Sequence, residues 1–212
     1  MPAPVHRLLF ACVSAVCAAG ASAQAIPTHV GQCLTAAEAE LAAQVNAYRQ
    51  QNGRNALPVT RILSSTAQWH VWDLGANSPA VGNCNLHSWS AAVPAGVSWQ
   101  PMCYTPDHSQ AAQMWAKPAQ ISGGVYQGNG FEIAANALGI TPSLALSLWQ
   151  NSPVHRDVIL NQGSWTTVGF GGMGVGLLGD FAVVWFGSAP DPQGTMPTCT
   201  APSPQIHVDG FE

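Results

Sequence analysis

His155 lies in the first turn of a punctuated helix start, Ser152-Pro153-Val154-His155-Arg156. A serine at the position of Ser152 accepts a hydrogen bond from first-turn amides, and proline suits the first helical position because it has no N–H to leave unpaired. The positive end of the helix dipole favours a neutral imidazole there. Such an imidazole binds a metal, accepts a proton or hydrogen-bonds a ligand. Glu132 is the second residue of chemical interest, because it stands in an otherwise apolar run, Phe131-Glu132-Ile133-Ala134. A lone carboxylate in that setting is costly without a partner, so an imidazole or a metal is expected to face it. No Gly-x-Ser-x-Gly elbow and no His-Glu-x-x-His helix occurs, and no Cys-x-x-Cys pair marks a zinc ribbon or a thiol redox centre.

The elements that must position these groups follow a leader. Arg7, the apolar run Leu8 to Ala19, and Ala21-Ser22-Ala23 before Gln24 make residues 1–23 a secretory signal peptide with cleavage near Ala23. The run is shorter than the ~20 residues a membrane span needs, so a secreted or periplasmic protein with no membrane span is expected. Of six Lys and Arg residues Arg7 leaves with the leader, and the remaining five face ten acidic residues. No basic patch is left for nucleic acid or an anionic membrane. Of six cysteines, Cys12 and Cys17 fall in the leader and four remain. Four cysteines in an exported chain allow three pairings. The favoured bonds are Cys84–Cys103, which closes a loop-rich segment, and Cys33–Cys199, which ties the two ends together.

After an N-terminal segment (24–34), Thr35-Ala-Ala-Glu38 is a capping-box pattern, with Leu41, Val45 and Tyr48 following at helical spacing and Gly53 as the stop. Ile62, Thr66, Trp69 and Asp73 mark a second amphipathic helix ending near Gly75. Periodicity then fades from Ala76 to Gly130, and so long an irregular segment calls for disulfide bracing or a functional surface. Within it, Asp107 to Trp115 predicts one short helix, capped by Asp107 and ended by Lys117-Pro118. Thr141-Pro142 opens a further helix through Trp149. Trp165 to Gly176 and Asp180 to Gly187 read as a β-hairpin around a Gly-Leu-Leu-Gly-Asp turn. The tail, 188–212, is rich in Pro and Thr and is expected to be a mobile arm tethered at Cys199. Its last residues, Asp209-Gly-Phe-Glu212, are short enough to be chance, with a sorting or export signal as the alternative. The order of elements is α+β.

Several runs are similar to pieces of one family. They are Leu41-Ala-Ala-Gln-Val-Asn-Ala-Tyr48-Arg49, Ala67-Gln-Trp-His70-Val-Trp-Asp73-Leu74, His87-Ser88, Glu132-Ile-Ala, Trp149-x-x-Ser152-Pro-Val-His155-Arg-x-x-Ile159-Leu-Asn161 and Val168-Gly169-Phe-Gly. In this order they resemble the CAP superfamily (cysteine-rich secretory proteins, antigen 5 and pathogenesis-related group 1; the SCP domain) in its bacterial form, over residues 35–187. The Ser-Pro-x-His-Arg run is the most specific piece. The resemblance implies an α-β-α sandwich with a central antiparallel sheet and a surface cleft. It also implies a cleft of two histidines and two acids, often with a divalent metal on the histidines. Carried over, the histidines are His87 and His155 and the first acid is Glu132. The second acid falls on Ser152, so the site is one carboxylate short.

Two histidines and a glutamate could hold zinc with a water in the fourth position. Ser88 is expected to brace His87, His70 to pack outside the cleft, and Arg156 to pair with a carboxylate or cap a carbonyl. Trp69, Trp149 and Trp185 fall on core positions, which leaves Trp89 and Trp99 as the tryptophans suited to a surface platform. The favoured function is a non-enzymatic module that binds a lipid, a sterol or another small apolar ligand, or a protein or cell-envelope partner. A metal-dependent hydrolase of peptide or cell-envelope substrates using His87, Glu132 and His155 is the alternative, weakened by the missing acid. A structural envelope protein is the third.

Overall fold

The computed structural model describes residues 24–200. The expected signal peptide, 1–23, and the terminal Asp209-Gly-Phe-Glu212 lie outside the described residues. Helix α1 (Ala36–Gln51) starts on the predicted capping box, with Thr35 and Glu38 each bonding the other's backbone N–H. It ends on Gly53, whose φ of 73° lets its N–H reach Gln50 O and that of Arg54 reach Arg49 O. Helix α2 (Arg61–Asn77) runs two residues past Gly75 and stops where Ser78 turns left-handed. The short helix expected from Asp107 is only α3 (Ala111–Trp115). Asp107 instead accepts bonds from Thr105 Oγ1 and the Ser109 N–H, closing a local turn. Lys117-Pro118 begins α4 (Lys117–Ile121) and ends nothing, because proline is as acceptable at a helix start as it is disruptive later.

Strand β1 (Gly130–Asn136) leads to α5 (Pro142–Gln150), capped by Thr141, and α6 (Pro153–Leu160). The hairpin is β2 (Gly172–Leu178) and β3 (Phe181–Gly187), so its first strand starts later than expected; a short 3-10 turn occupies Gly163–Trp165. The closing pair is Leu178 and Phe181. Gly179, at φ 59°, occupies the first central position of the two-residue turn, where a positive φ is required.

The sheet is antiparallel throughout, in the order β1-β3-β2. Side chains alternate across it. Ile133, Ala135, Val175, Val184 and Phe186 face α1, α5 and α6, while Ala134, Val183 and Trp185 face α2. This is an α-β-α sandwich. On the α2 side, β2 presents glycines. A Cβ on Gly174 would lie 2.0 Å from the backbone of Leu63 and Ser64, and one on Gly176 would lie 2.5 Å from Ala67 O. The Gly-x-Gly-x-Gly alternation therefore lets α2 press its backbone onto the sheet.

Both expected disulfides are present, Cys33–Cys199 and Cys84–Cys103. The first part of the tail is no mobile arm. Its backbone pairs with Leu34, Val59 and Arg61, and Asp191 Oδ2 accepts the Ile62 N–H at 2.7 Å, capping α2 where Thr60 makes no side-chain cap bond. No helix among the described residues is long and apolar enough to cross a membrane.

Candidate functional site

Glu132 lies on the α2 side of β1, opposite Trp185 in the register, and its side chain is fully buried. His70 projects from α2 onto it, with Nδ1 on Oε1 in a short hydrogen bond. His87 meets the other oxygen, Nδ1 to Oε2 at 2.6 Å. The second ring nitrogen of His70 donates to the Ser88 carbonyl at 3.0 Å. Burial alone would raise the Glu132 carboxyl, but the charge of His70 and hydrogen bonds from both histidines overcome it and hold it down to about 2.

His87 therefore stands on a heavily braced loop. Ser90 gives its backbone N–H and its hydroxyl to Asp73 of α2, at 2.8 and 2.5 Å. Trp89 exchanges both backbone bonds with Met102, and Asn85 N–H reaches Tyr104 O at 2.8 Å. Ser88 Oγ accepts the Tyr104 N–H at 2.9 Å, a bracing role, and the residue is fully buried. Cys84–Cys103 closes the same two segments.

His155 reaches the site from α6. Ser152 has the extended backbone of a cap residue, and its carbonyl accepts the Arg156 N–H, but its hydroxyl makes no cap bond, contrary to expectation. Burial lowers the His155 pKa, and the nearby charge of His87 lowers it further, so the neutral ring is favoured. Arg156 caps a carbonyl, Gln150 O, at 3.5 Å. The far end of α6 is anchored by the buried Arg49, which donates to Ile159 O and to Asn161 Oδ1.

A cleft of about 420 Å³ opens between these elements, lined by His87, His155 and Glu132 together with Tyr104, His108, Met114, Trp115, Val154, Val158, Ser164 and Trp165. Ser152 and Ser88 do not line it. The tryptophans suggested as a platform are elsewhere: Trp89 and Trp99 are buried under α2, where Trp89 stacks on His70 with 4.3 Å between ring centroids. The half-buried tryptophans of the cleft are Trp115 and Trp165, both packed edge-on against Phe131.

His70 lies outside the cleft lining, as expected, but it does more than pack: it bonds Glu132 and the Ser88 carbonyl, which sequence reasoning missed. The available signal was two buried-type polar residues, one on an apolar helix face and one in an apolar strand, each needing a partner. His108 was also missed. It holds a positive φ of 58° and hydrogen-bonds Tyr104 Oη at 3.0 Å. Burial, with the Glu132 charge second, pushes the Tyr104 phenol pKa up.

The donor set bears on the expected zinc. Each Glu132 oxygen already meets an imidazole, Oε1 that of His70 and Oε2 that of His87. Among the described residues, no group of three or more His, Cys, Asp or Glu is disposed to hold an ion. Two imidazoles do not make the three-ligand site of catalytic zinc. In chemical terms the cleft offers His87 Nε2 as a base or ligand atom, a neutral His155 and aromatic walls.

No protein-family profile and no curated protein matches the chain. Solved structures do. An outer surface protein of Borrelia burgdorferi is similar at 19% identity and TM-score 0.43, over 69% of this chain and 88% of that one. A cysteine-rich secretory protein of Staphylococcus aureus is similar at 14% identity and TM-score 0.45, over 72% of this chain. An extracellular protein of Bacillus anthracis containing an SCP domain is similar at 18% identity and TM-score 0.47, over 70% of this chain. The chain spans 38% and 39% of the length of these last two.

Proposed function

We propose that this chain is an exported CAP-type binding module whose cleft takes a small, largely apolar molecule with one polar group directed at His87 and His155. The observation that supports this most is the division of the cleft. His87, His108 and His155 share it with walls of Met114, Trp115, Val154, Val158 and Trp165. Its lone carboxylate is already neutralised from behind by His70. A polar substrate would find few partners there, whereas an amphipathic one finds an aromatic slot and a nitrogen. Export agrees with the leader pattern and the two disulfides.

A hydrolytic role would need a nucleophile or a metal-bound water beside His87, and Ser88, its neighbour in the chain, is buried and does not line the cleft. A divalent cation such as zinc would be held by His87 and His155 alone, with ligand or solvent completing the shell, which makes a weak, ligand-dependent site. The test is extraction and mass spectrometry of molecules retained by the purified protein, followed by titration of a lipid and sterol panel against tryptophan fluorescence. Binding that falls at least tenfold in Trp165→Ala and in His155→Ala supports the assignment. Failure of the whole panel, or affinities unchanged by both substitutions, removes it.

A further inference from the structure

His70 grips two things at once. Its Nε2 faces the Ser88 carbonyl at 3.0 Å, and a carbonyl only accepts, so that nitrogen carries a hydrogen. Its Nδ1 faces Glu132 Oε1, again an acceptor when ionised, so a second hydrogen lies between ring and carboxylate. The ring is wholly buried and stacked on Trp89, with planes 7° apart, and it stands on a helix that glycines allow to sit against the sheet. It has little freedom to turn.

The two partners of His70 also help to hold His87. Ser88 is the next residue in the chain, and Glu132 Oε2 receives His87 Nδ1 at 2.6 Å. With that nitrogen donating, Nε2 of His87 has no hydrogen-bond partner among the described residues and is the nitrogen left for the cleft. The buried Lys117 stands close by, and the charges of Glu132 and Asp73 favour its ammonium against the burial that lowers its pKa. The Lys117 Nζ lies 5.2 Å from the centre of the same Trp89 ring.

We propose that His70 is a positioning residue for the cleft, clamping Glu132 and the Ser88 peptide together so that His87 is locked as its Nδ1–H tautomer with a bare Nε2 turned to the ligand. A carboxylate held this way fixes both the ring orientation and the basicity of the imidazole it touches. The proposal rests on His87 being a working group of the cleft. Its test reads the His87 ring with no ligand present, so failure of ligand binding and failure of the clamp are distinguishable.

The experiment is a long-range ¹H–¹⁵N correlation spectrum of the imidazole rings in the mature, disulfide-bonded protein at neutral pH, with the rate of His87 carbethoxylation measured alongside. In the wild type, His87 should show a hydrogen on Nδ1 and none on Nε2, and His70 a strongly downfield Nδ1 hydrogen. His70→Phe keeps a ring on Trp89 but removes both bonds; the His87 tautomers should mix, and carbethoxylation should slow roughly tenfold, the lower end of what second-layer partners contribute. His70→Gln restores an N–H to Glu132 and should return most of the wild-type tautomer. A wild-type His87 protonated on Nε2 overturns the proposal. So does a folded His70→Phe with an unchanged His87 spectrum. If His70→Phe does not fold, the wild-type and His70→Gln spectra decide the matter on the same criteria.

Discussion

His87 and His155 line one cleft but are held in opposite ways. Around His87, a disulfide, a two-way backbone bridge, Asp73 and the His70–Glu132 pair fix the loop and the ring from several sides. Around His155, the helix is anchored at its far end through Arg49 and Asn161, and its near end has one long side-chain bond, from Arg156 to Gln150 O. Its near end has no side-chain cap, and Val154 beside the histidine is 69% exposed. The contrast separates a fixed half of the site from an adjustable half.

Breaking the fixed half should have the largest effect. Glu132→Ala strips a buried ion pair of its anion and strands His70; a loss of about 3–5 kcal/mol is expected in urea unfolding, the cost of an uncompensated buried charge. Acid attacks the same point. The Glu132 carboxyl titrates near 4.5 when unfolded and is held to about 2 when folded. Its contribution is therefore present above pH 4.5 and is lost as the pH falls towards 2. On the order of 3 kcal/mol should disappear across that window in a pH series of melts, and Glu132→Gln should flatten the curve.

Removing Cys84–Cys103 as a paired serine variant opens a loop spanning 19 residues. A loss of about 2–3 kcal/mol is expected, with the His87 ring signals broadening while those of His155 stay sharp. The adjustable half should barely register in stability. His155→Ala should shift it by less than about 0.5 kcal/mol yet abolish most ligand binding. Because the His155 pKa is lowered by folding, its small contribution is present above the ordinary histidine value of 6.5 and fades as the pH drops below it. The variant should lose that slope. If His155→Ala instead destabilises as much as Glu132→Ala, the division into two halves is wrong.

What was legible in the chain was whatever its own neighbours encode. The Thr35–Glu38 box, the Gly53 stop, the Thr141-Pro142 start and the Gly179 turn are each set within a few residues, and each is where local chemistry put it. His155 and Glu132 were legible for a different reason, since one sits at a helix start and the other is expensive where it stands. His70 was not, because its meaning lies in a contact 62 residues away and nothing in its helix distinguishes a packed ring from a bonded one. Trp89 and Trp99 misled because an irregular segment looks exposed by composition. Here a disulfide and a pair of backbone bonds fold that segment over α2 and bury both rings. The Ser152 hydroxyl shows the limit of a capping rule, because the residue takes the cap backbone without making the bond.

The Asp191 cap on α2 bears on how the molecule is put together in time. The helix that carries His70 takes its starting hydrogen bond from a residue 129 positions further along, and Cys33 waits for Cys199, 166 positions away. β3, the middle strand, is also the last to be made. Such distant pairings slow folding, since loop closure must precede any reward. A chain interrupted before residue 191 would contain every histidine of the cleft and its glutamate, but would still lack the far-off groups that finish the helix behind them. Assembly of the cleft is thus coupled to completion of the whole domain, and a half-made chain has little chance of presenting a working pocket.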